Sequence, residues 1–203
     1  MSRPEMWAAL IEAIKKDIPN FEIRYKEDGW YHVLVGKLMF WTDYEHYTVT
    51  LYPKVWFESR DVGVTLYPIE TLEHEWVHLR DVHTYYGLLP HLPAWFNAGA
   101  FAVGYAFPQC LAILALLAFF NPWWLVCLLF LAPWPAPLRM LTELRAYRRS
   151  VELGRDAAAC AAIFNGWGYY CMWPFQKWVE NALETKSSPY KDLMDGYYTP
   201  KDV

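Results

Sequence analysis

Three observations predict an α+β chain in which an antiparallel sheet and a metal-binding helix form a frame, with an apolar helical hairpin inserted. The stretch Thr71-Leu72-Glu73-His74-Glu75-Trp76-Val77-His78 contains His-Glu-x-x-His. Upstream of it, runs dense in Val, Ile, Tyr, Phe and Thr read as strands. Downstream, 57 residues between Asp81 and Arg139 pass without Asp, Glu, Lys or Arg. Soluble domains average about a quarter charged residues, so here the charge is confined to the flanks of an apolar insert.

The elements follow in order. Residues 4–17 carry Met6, Leu10, Ile11 and Ile14 at helical spacing, with Lys15 and Lys16 at the C-terminal end. Phe21–Lys26, Tyr31–Trp41 and His46–Phe57 are the predicted strands, with Glu27-Asp28-Gly29 as a hairpin turn. Residues 62–69 suggest one more short strand. Thr71 is a suitable N-cap for the histidine helix, which should run to Tyr86 with Gly87 as its C′ residue. Ala98–Phe120 reads as an apolar helix interrupted by Pro108, and Trp123–Leu131 as a second one, cut short by Pro133, Pro135 and Pro137. Leu138 to Ala162 returns to an amphipathic helix, Met172–Glu184 is the last helix, and residues 185–203 form a polar tail. The whole, 1–203, suits a single domain with residues 98–137 as its insert.

Composition narrows the function. A formal charge of −4 and a pI near 5.9 give no drive towards nucleic acid, and no P-loop or dinucleotide fingerprint occurs. Cys110, Cys127, Cys160 and Cys171 stand singly in apolar segments, as small buried hydrophobes of a reducing compartment do. The run from Glu5 to Asp17 is charged and amphipathic, unlike the apolar core of a leader peptide.

The chemistry centres on His74, Glu75 and His78. Residues four apart share a helix face, so both imidazoles can address one ion. Glu75 lies about 100° round the helix, where it can reach a water on the metal without being a ligand. Zinc takes two imidazoles, a third protein ligand and a water. Three residues compete for the third place. His83 is about 180° round the helix from His74 and faces away. His91 lies beyond Gly87 and Pro90, where a returning chain would present it as in SprT-like metalloproteases. Glu143 opens Glu143-Leu144-Arg145-Ala146-Tyr147 on a later helix; alternatively it is a surface carboxylate paired with Arg139 or Arg145.

Strands, His-Glu-x-x-His, an apolar helical hairpin and then Glu-x-x-Ala on a helix resemble, in that order, the gluzincin metallopeptidases. The likeness is greatest to the group that holds membrane-embedded CAAX-type proteases and HtpX-like peptidases. It covers roughly residues 46–160 and implies a zincin-like frame, Zn2+ held by His74, His78 and Glu143, and Glu75 as general base. Where that family commonly has an aspartate four residues after its ligand glutamate, this chain has Tyr147. A phenol there is a candidate to orient a ligand histidine, supplying a hydrogen bond but no charge.

The insert is long enough on its first leg to cross about 30 Å of hydrocarbon, but the nine residues of its return leg reach only about 14 Å. A partly inserted hairpin fits better than two spans, with Trp123, Trp124 and Trp134 at interfacial depths. Arg80, Arg139, Arg145, Arg148 and Arg149 place both bases of the hairpin, and with them the active site, on the cytoplasmic side. The competing environment is a large protein assembly that buries residues 98–137. Function divides accordingly. One expectation is a membrane-associated zinc endopeptidase acting on a peptide or protein substrate; the other is a non-catalytic structural or interaction subunit that retains the frame and docks through its hairpin. Zinc hydrolysis of a non-peptide amide or ester is a weaker third.

Overall fold

A computed structural model describes residues 2–38, 44–61, 68–88 and 94–184. Helix α1 (Arg3–Asp17) begins with a capping box between Ser2 and Glu5. It buries Trp7, Leu10 and Ile14, a 3-4 spacing that presents one apolar stripe. Strand β1 (Glu22–Tyr25), helix α2 (Trp30–Leu38) and strands β2 (Val49–Leu51) and β3 (Lys54–Phe57) follow. The sheet order is β1-β3-β2. β1 runs parallel to β3, with Ile23 opposite Val55, and β2 runs antiparallel to it, with Thr50 opposite Val55. The three-stranded sheet is therefore mixed, where the sequence suggested antiparallel pairing throughout.

Two of the expected strands change character. Tyr31–Trp41 reads as β-rich, yet residues 30–38 are helix α2; residues 39–43 lie outside those described. Tertiary contacts outweigh the propensity: buried His32 sits 4.5 Å from the Trp56 ring, and its Nδ1 lies 2.6 Å from the Tyr44 hydroxyl. Glu27-Asp28-Gly29 consequently leads through a 3-10 turn (Lys26–Asp28) into α2 and joins no hairpin. His46–Phe57 is two strands, because Tyr52-Pro53 forms a two-residue turn that pairs Leu51 with Lys54.

Helix α3 (Ile69–Leu88) carries the motif. It starts directly after Pro68, two residues before the expected cap Thr71, and continues through Gly87. Residues 62–67, most of the expected fourth strand, lie outside those described, and Ile69 is helical. Leu72 and Leu79, seven residues apart, sink into the core formed by α1 and the sheet with Ile14, Ile18, Val55 and Phe57. Each such side chain contributes about 1.5–3 kcal/mol by burial. Asp17, at the end of α1, accepts from Trp76 Nε1 at 2.8 Å and pairs with Arg80, which fixes α3 on α1.

The insert opens with α4 (Ala94–Tyr105). The chain bends by 96° around Pro108 into a 3-10 segment, Gln109–Phe119. Asn121 caps the return segment, Pro122–Leu131, by accepting from Trp123 N at 3.0 Å. Both legs are 3-10 where apolar helices were expected, so at about 2.0 Å per residue each is roughly 20 Å long. The amphipathic stretch after the insert is two helices, α5 (Pro137–Glu152) and α6 (Ala157–Phe164). Gly154, at φ +100°, ends α5 in a left-handed turn that a side chain disfavours. Helix α7 (Gln176–Glu184) starts after Pro174, later than Met172. A second core joins α5, α6 and α7 through Met140, Leu144, Phe164, Met172, Val179 and Leu183. Residues 185–203 lie outside those described. All four cysteines are free thiols, Cys127 and Cys160 buried.

Candidate metal centre

Helix α3 turns its apolar side to the sheet and its histidine side to α5. Two ion pairs bracket that second contact: Glu73 with Arg149 at 2.7 Å and Asp81 with Arg145 at 2.8 Å. On α5, Glu143, Tyr147 and Ser150 recur at positions i, i+4 and i+7, so one face addresses the histidines. Arg139 and Arg145, the suggested surface partners of Glu143, are engaged elsewhere, with Gln109 and Asp81. Glu143 itself is 2% exposed.

The side chains of His74, His78 and Glu143 converge. His74 Nε2 and His78 Nε2 are 3.3 Å apart; His74 Nε2 lies 3.4 Å from Glu143 Oε2, and His78 Nε2 lies 3.6 Å from Glu143 Oε1. Ligand atoms about 2.0–2.1 Å from a tetrahedral zinc stand about 3.3–3.4 Å from one another, so these separations fit such an ion. Charge points the same way. Glu75 and Glu143 are both buried, and among the described residues neither touches a Lys or Arg. Buried carboxylates need a positive counterpart, and an imidazolium or a metal cation must supply it. Among the described residues, Glu143 Oε2 accepts no well-aligned hydrogen bond, with His74 Nε2 3.4 Å away, which leaves a lone pair for a cation.

The surrounding groups orient this set. Ser150 Oγ lies 3.3 Å from His74 Nδ1 and donates to the Ala146 carbonyl, so it accepts Nδ1–H and turns the lone pair of Nε2 inward. Tyr105, from α4, donates its hydroxyl to Glu143 Oε1. The Tyr147 ring packs edge-on against His74 with centroids 4.6 Å apart, but its hydroxyl donates to Tyr169 at 3.0 Å. Tyr147 thus contacts His74 through its ring, and Ser150 makes the hydrogen bond. Thr50, on edge strand β2, donates to Glu75 Oε2 at 2.6 Å.

Burial pushes the Glu75 carboxyl above its usual range, against the pull of His78, His74 and the Thr50 hydroxyl. Burial alone would also raise Glu143, yet the two histidines hold it well below the carboxylate range. Burial works against protonated His78, but the carboxylates of Glu143, Glu75 and Asp81 push it up to about 9.

Of the other candidate ligands, His83 faces away, its Nδ1 3.1 Å from the Tyr52 hydroxyl. His91 lies outside the described residues. Thr50, Tyr105 and Ser150 were not singled out from sequence. For Tyr105 a signal existed: it is the only Tyr, Ser or Thr in residues 98–137, and a hydroxyl in so apolar a stretch needs a partner. A cavity of about 340 Å³ opens beside the centre, lined by His74 and Glu75 and by residues of β3, α5 and α6 with the segments beside them.

Compared with models of protein families, with curated proteins and with solved structures, the chain matches none.

Proposed function

We propose that the protein is a zinc-dependent peptidase of gluzincin type on a zincin-like frame, with His74, His78 and Glu143 as ligands and Glu75 as general base. The observation that carries this reading is the convergence of Glu143, from a helix 65 residues beyond His78, on the two motif histidines in a buried site. Zinc bound there supplies Lewis acidity, polarising a carbonyl and lowering the pKa of water. The remaining work falls to the chain. Glu75 takes the proton from the attacking water and returns it to the leaving amine, a role suited to a carboxyl raised by burial and fixed by Thr50. Among the described residues strand β2 ends one side of the sheet, where an extended peptide would find main-chain groups to pair with.

The apolar hairpin anchors this enzyme to a membrane, with the frame on the cytoplasmic side. Leu116, Phe119, Phe120 and Trp123 near its tip are 76–90% exposed, more apolar surface than a chain in water presents without a partner. No single helix among the described residues is long and apolar enough to cross a bilayer, and legs of roughly 20 Å enter one leaflet and return.

The deciding experiment compares wild type with Glu75→Gln, both zinc-loaded in detergent, on an unstructured polypeptide substrate. Hydrolysis should fall by about 10²–10⁴-fold while zinc content stays the same, since general acid–base catalysis contributes that much. Undiminished biological activity of Glu75→Gln would decide for a docking subunit without catalysis.

A further inference from the structure

Apart from its tryptophans and cysteines, the insert 98–137 carries three polar side chains, Tyr105, Gln109 and Asn121. Asn121 caps the segment at the tip. The other two stand at the root, and both engage α5. Tyr105, the last residue of α4, donates its hydroxyl to Glu143 Oε1, and Gln109 Oε1 accepts from Arg139 Nη2 at 3.3 Å. Arg139 and Glu143 are four residues apart and share a helix face, so the two bonds form antiparallel rungs between insert and helix. The Arg139 guanidinium stands 5.6 Å from the centroid of the Tyr105 ring, within cation–π range, which ties one rung to the other. Gln109 Nε2 in turn donates to the Trp134 carbonyl on the returning chain at 3.1 Å and closes the root.

Through Tyr105 the root reaches two of the three candidate ligands, His74, His78 and Glu143. The hydroxyl is on Glu143, and the ring stands edge-on to His78 with centroids 6.4 Å apart. Phe101, four residues earlier on α4, stacks against the same ring at 6.5 Å. The terminal torsion of a glutamate is broad, so hydrogen bonds rather than a rotamer well set the plane of its carboxylate. Glu143 is 2% exposed, and a carboxylate so buried depends on the donors aimed at it. Tyr105 occupies Oε1 and thereby leaves Oε2, which accepts no well-aligned hydrogen bond among the described residues, for the ion.

We propose that the apolar insert completes the metal centre: Tyr105 is the positioning residue that turns Glu143 towards the ion, so zinc affinity and the seating of the insert root on α5 are linked. Partners of metal ligands are typically worth about 10–100-fold in metal affinity. Linkage is reciprocal, so bound zinc holds the root in place by the same factor. The exposed tip around Asn121 lies outside the linkage, because neither rung includes it. The proposal rests on Glu143 being a ligand, and it holds for a peptidase and for a docking subunit alike.

Zinc affinity, measured on the full-length protein in detergent by competition with a fluorescent zinc chelator, tests it without turnover. Tyr105→Phe keeps the ring beside His78 and Phe101 and removes the donor. Its affinity for zinc should fall about 10–100-fold. In a Glu143→Ala background the same substitution should leave the residual affinity unchanged, because the hydroxyl acts through that carboxylate. The reverse direction needs no substitution. Zinc should slow hydrogen exchange of the α4 amides in wild type, by up to the same factor, and Tyr105→Phe should lose most of that slowing. Wild-type zinc affinity in Tyr105→Phe, an equal loss with and without Glu143, or α4 exchange indifferent to zinc in wild type overturns the linkage. The ligand assignment fails separately. Glu143→Ala with wild-type zinc affinity sinks that assignment, whereas loss of zinc in Glu143→Ala beside a silent Tyr105→Phe sinks the linkage alone.

Discussion

The Thr50 hydroxyl donates to Glu75 Oε2 at 2.6 Å and so joins the edge strand of the sheet to the motif helix. A hydrogen bond to a charged group is worth about 1.5–3 kcal/mol, and here it holds one oxygen of the proposed base and leaves the other for proton transfer. Thr50→Val keeps the shape and removes the donor. Peptide hydrolysis should drop about tenfold or more, Thr50→Ser should retain most activity, and zinc content should match wild type in both. Equal rates for Thr50→Val and wild type would remove Thr50 from the positioning of Glu75.

Metal content separates the candidate ligands. Glu143→Ala should lose most bound zinc, because it removes the carboxylate that faces both imidazoles at 3.4 and 3.6 Å. His83→Ala should keep its zinc, since that imidazole contacts Tyr52. If His91→Ala strips the metal while Glu143→Ala retains it, the gluzincin assignment fails.

Zinc uptake should release protons. The carboxylates of Glu143, Glu75 and Asp81 push His78 up to about 9, so at pH 7 it should hold a proton that ligation must expel. For one proton released, apparent affinity rises about tenfold per pH unit from pH 7 towards 9 and then levels off. Calorimetric titration in buffers of different ionisation enthalpy measures the number. A binding enthalpy independent of the buffer at pH 7 contradicts this account of the His78 proton.

Removing the apolar surface should free the frame. Replacing Leu111–Leu131 by a short polar loop keeps Tyr105 on Glu143 and Gln109 beside Arg139, and it deletes the exposed tip. The shortened protein should stay monodisperse without detergent, bind zinc and no longer float with lipid vesicles. A full-length chain already monomeric in plain buffer would leave the membrane anchor without support.

What the sequence determined by itself is what local periodicity and charge encode. His74 and His78 share a face because a helix repeats every 3.6 residues, and a 57-residue gap in charge marks the insert without any structure. Glu143 stood out only through its Glu-x-x-Ala context. Nothing local says that a carboxylate 65 residues beyond His78 meets it, and the packing of α5 on α3, bracketed by Glu73–Arg149 and Asp81–Arg145, decides that. Tertiary structure also overrode local preference. Tyr31–Trp41 reads as strand because β-branched and aromatic side chains favour one, but the contact of His32 with Trp56 and Tyr44 holds residues 30–38 as helix. The residues that orient the centre, Thr50, Tyr105 and Ser150, come from a strand, the insert and a late helix. A hydroxyl carries no periodic signature, so its role is defined only by the buried group it faces, and that proximity exists only once the chain has folded.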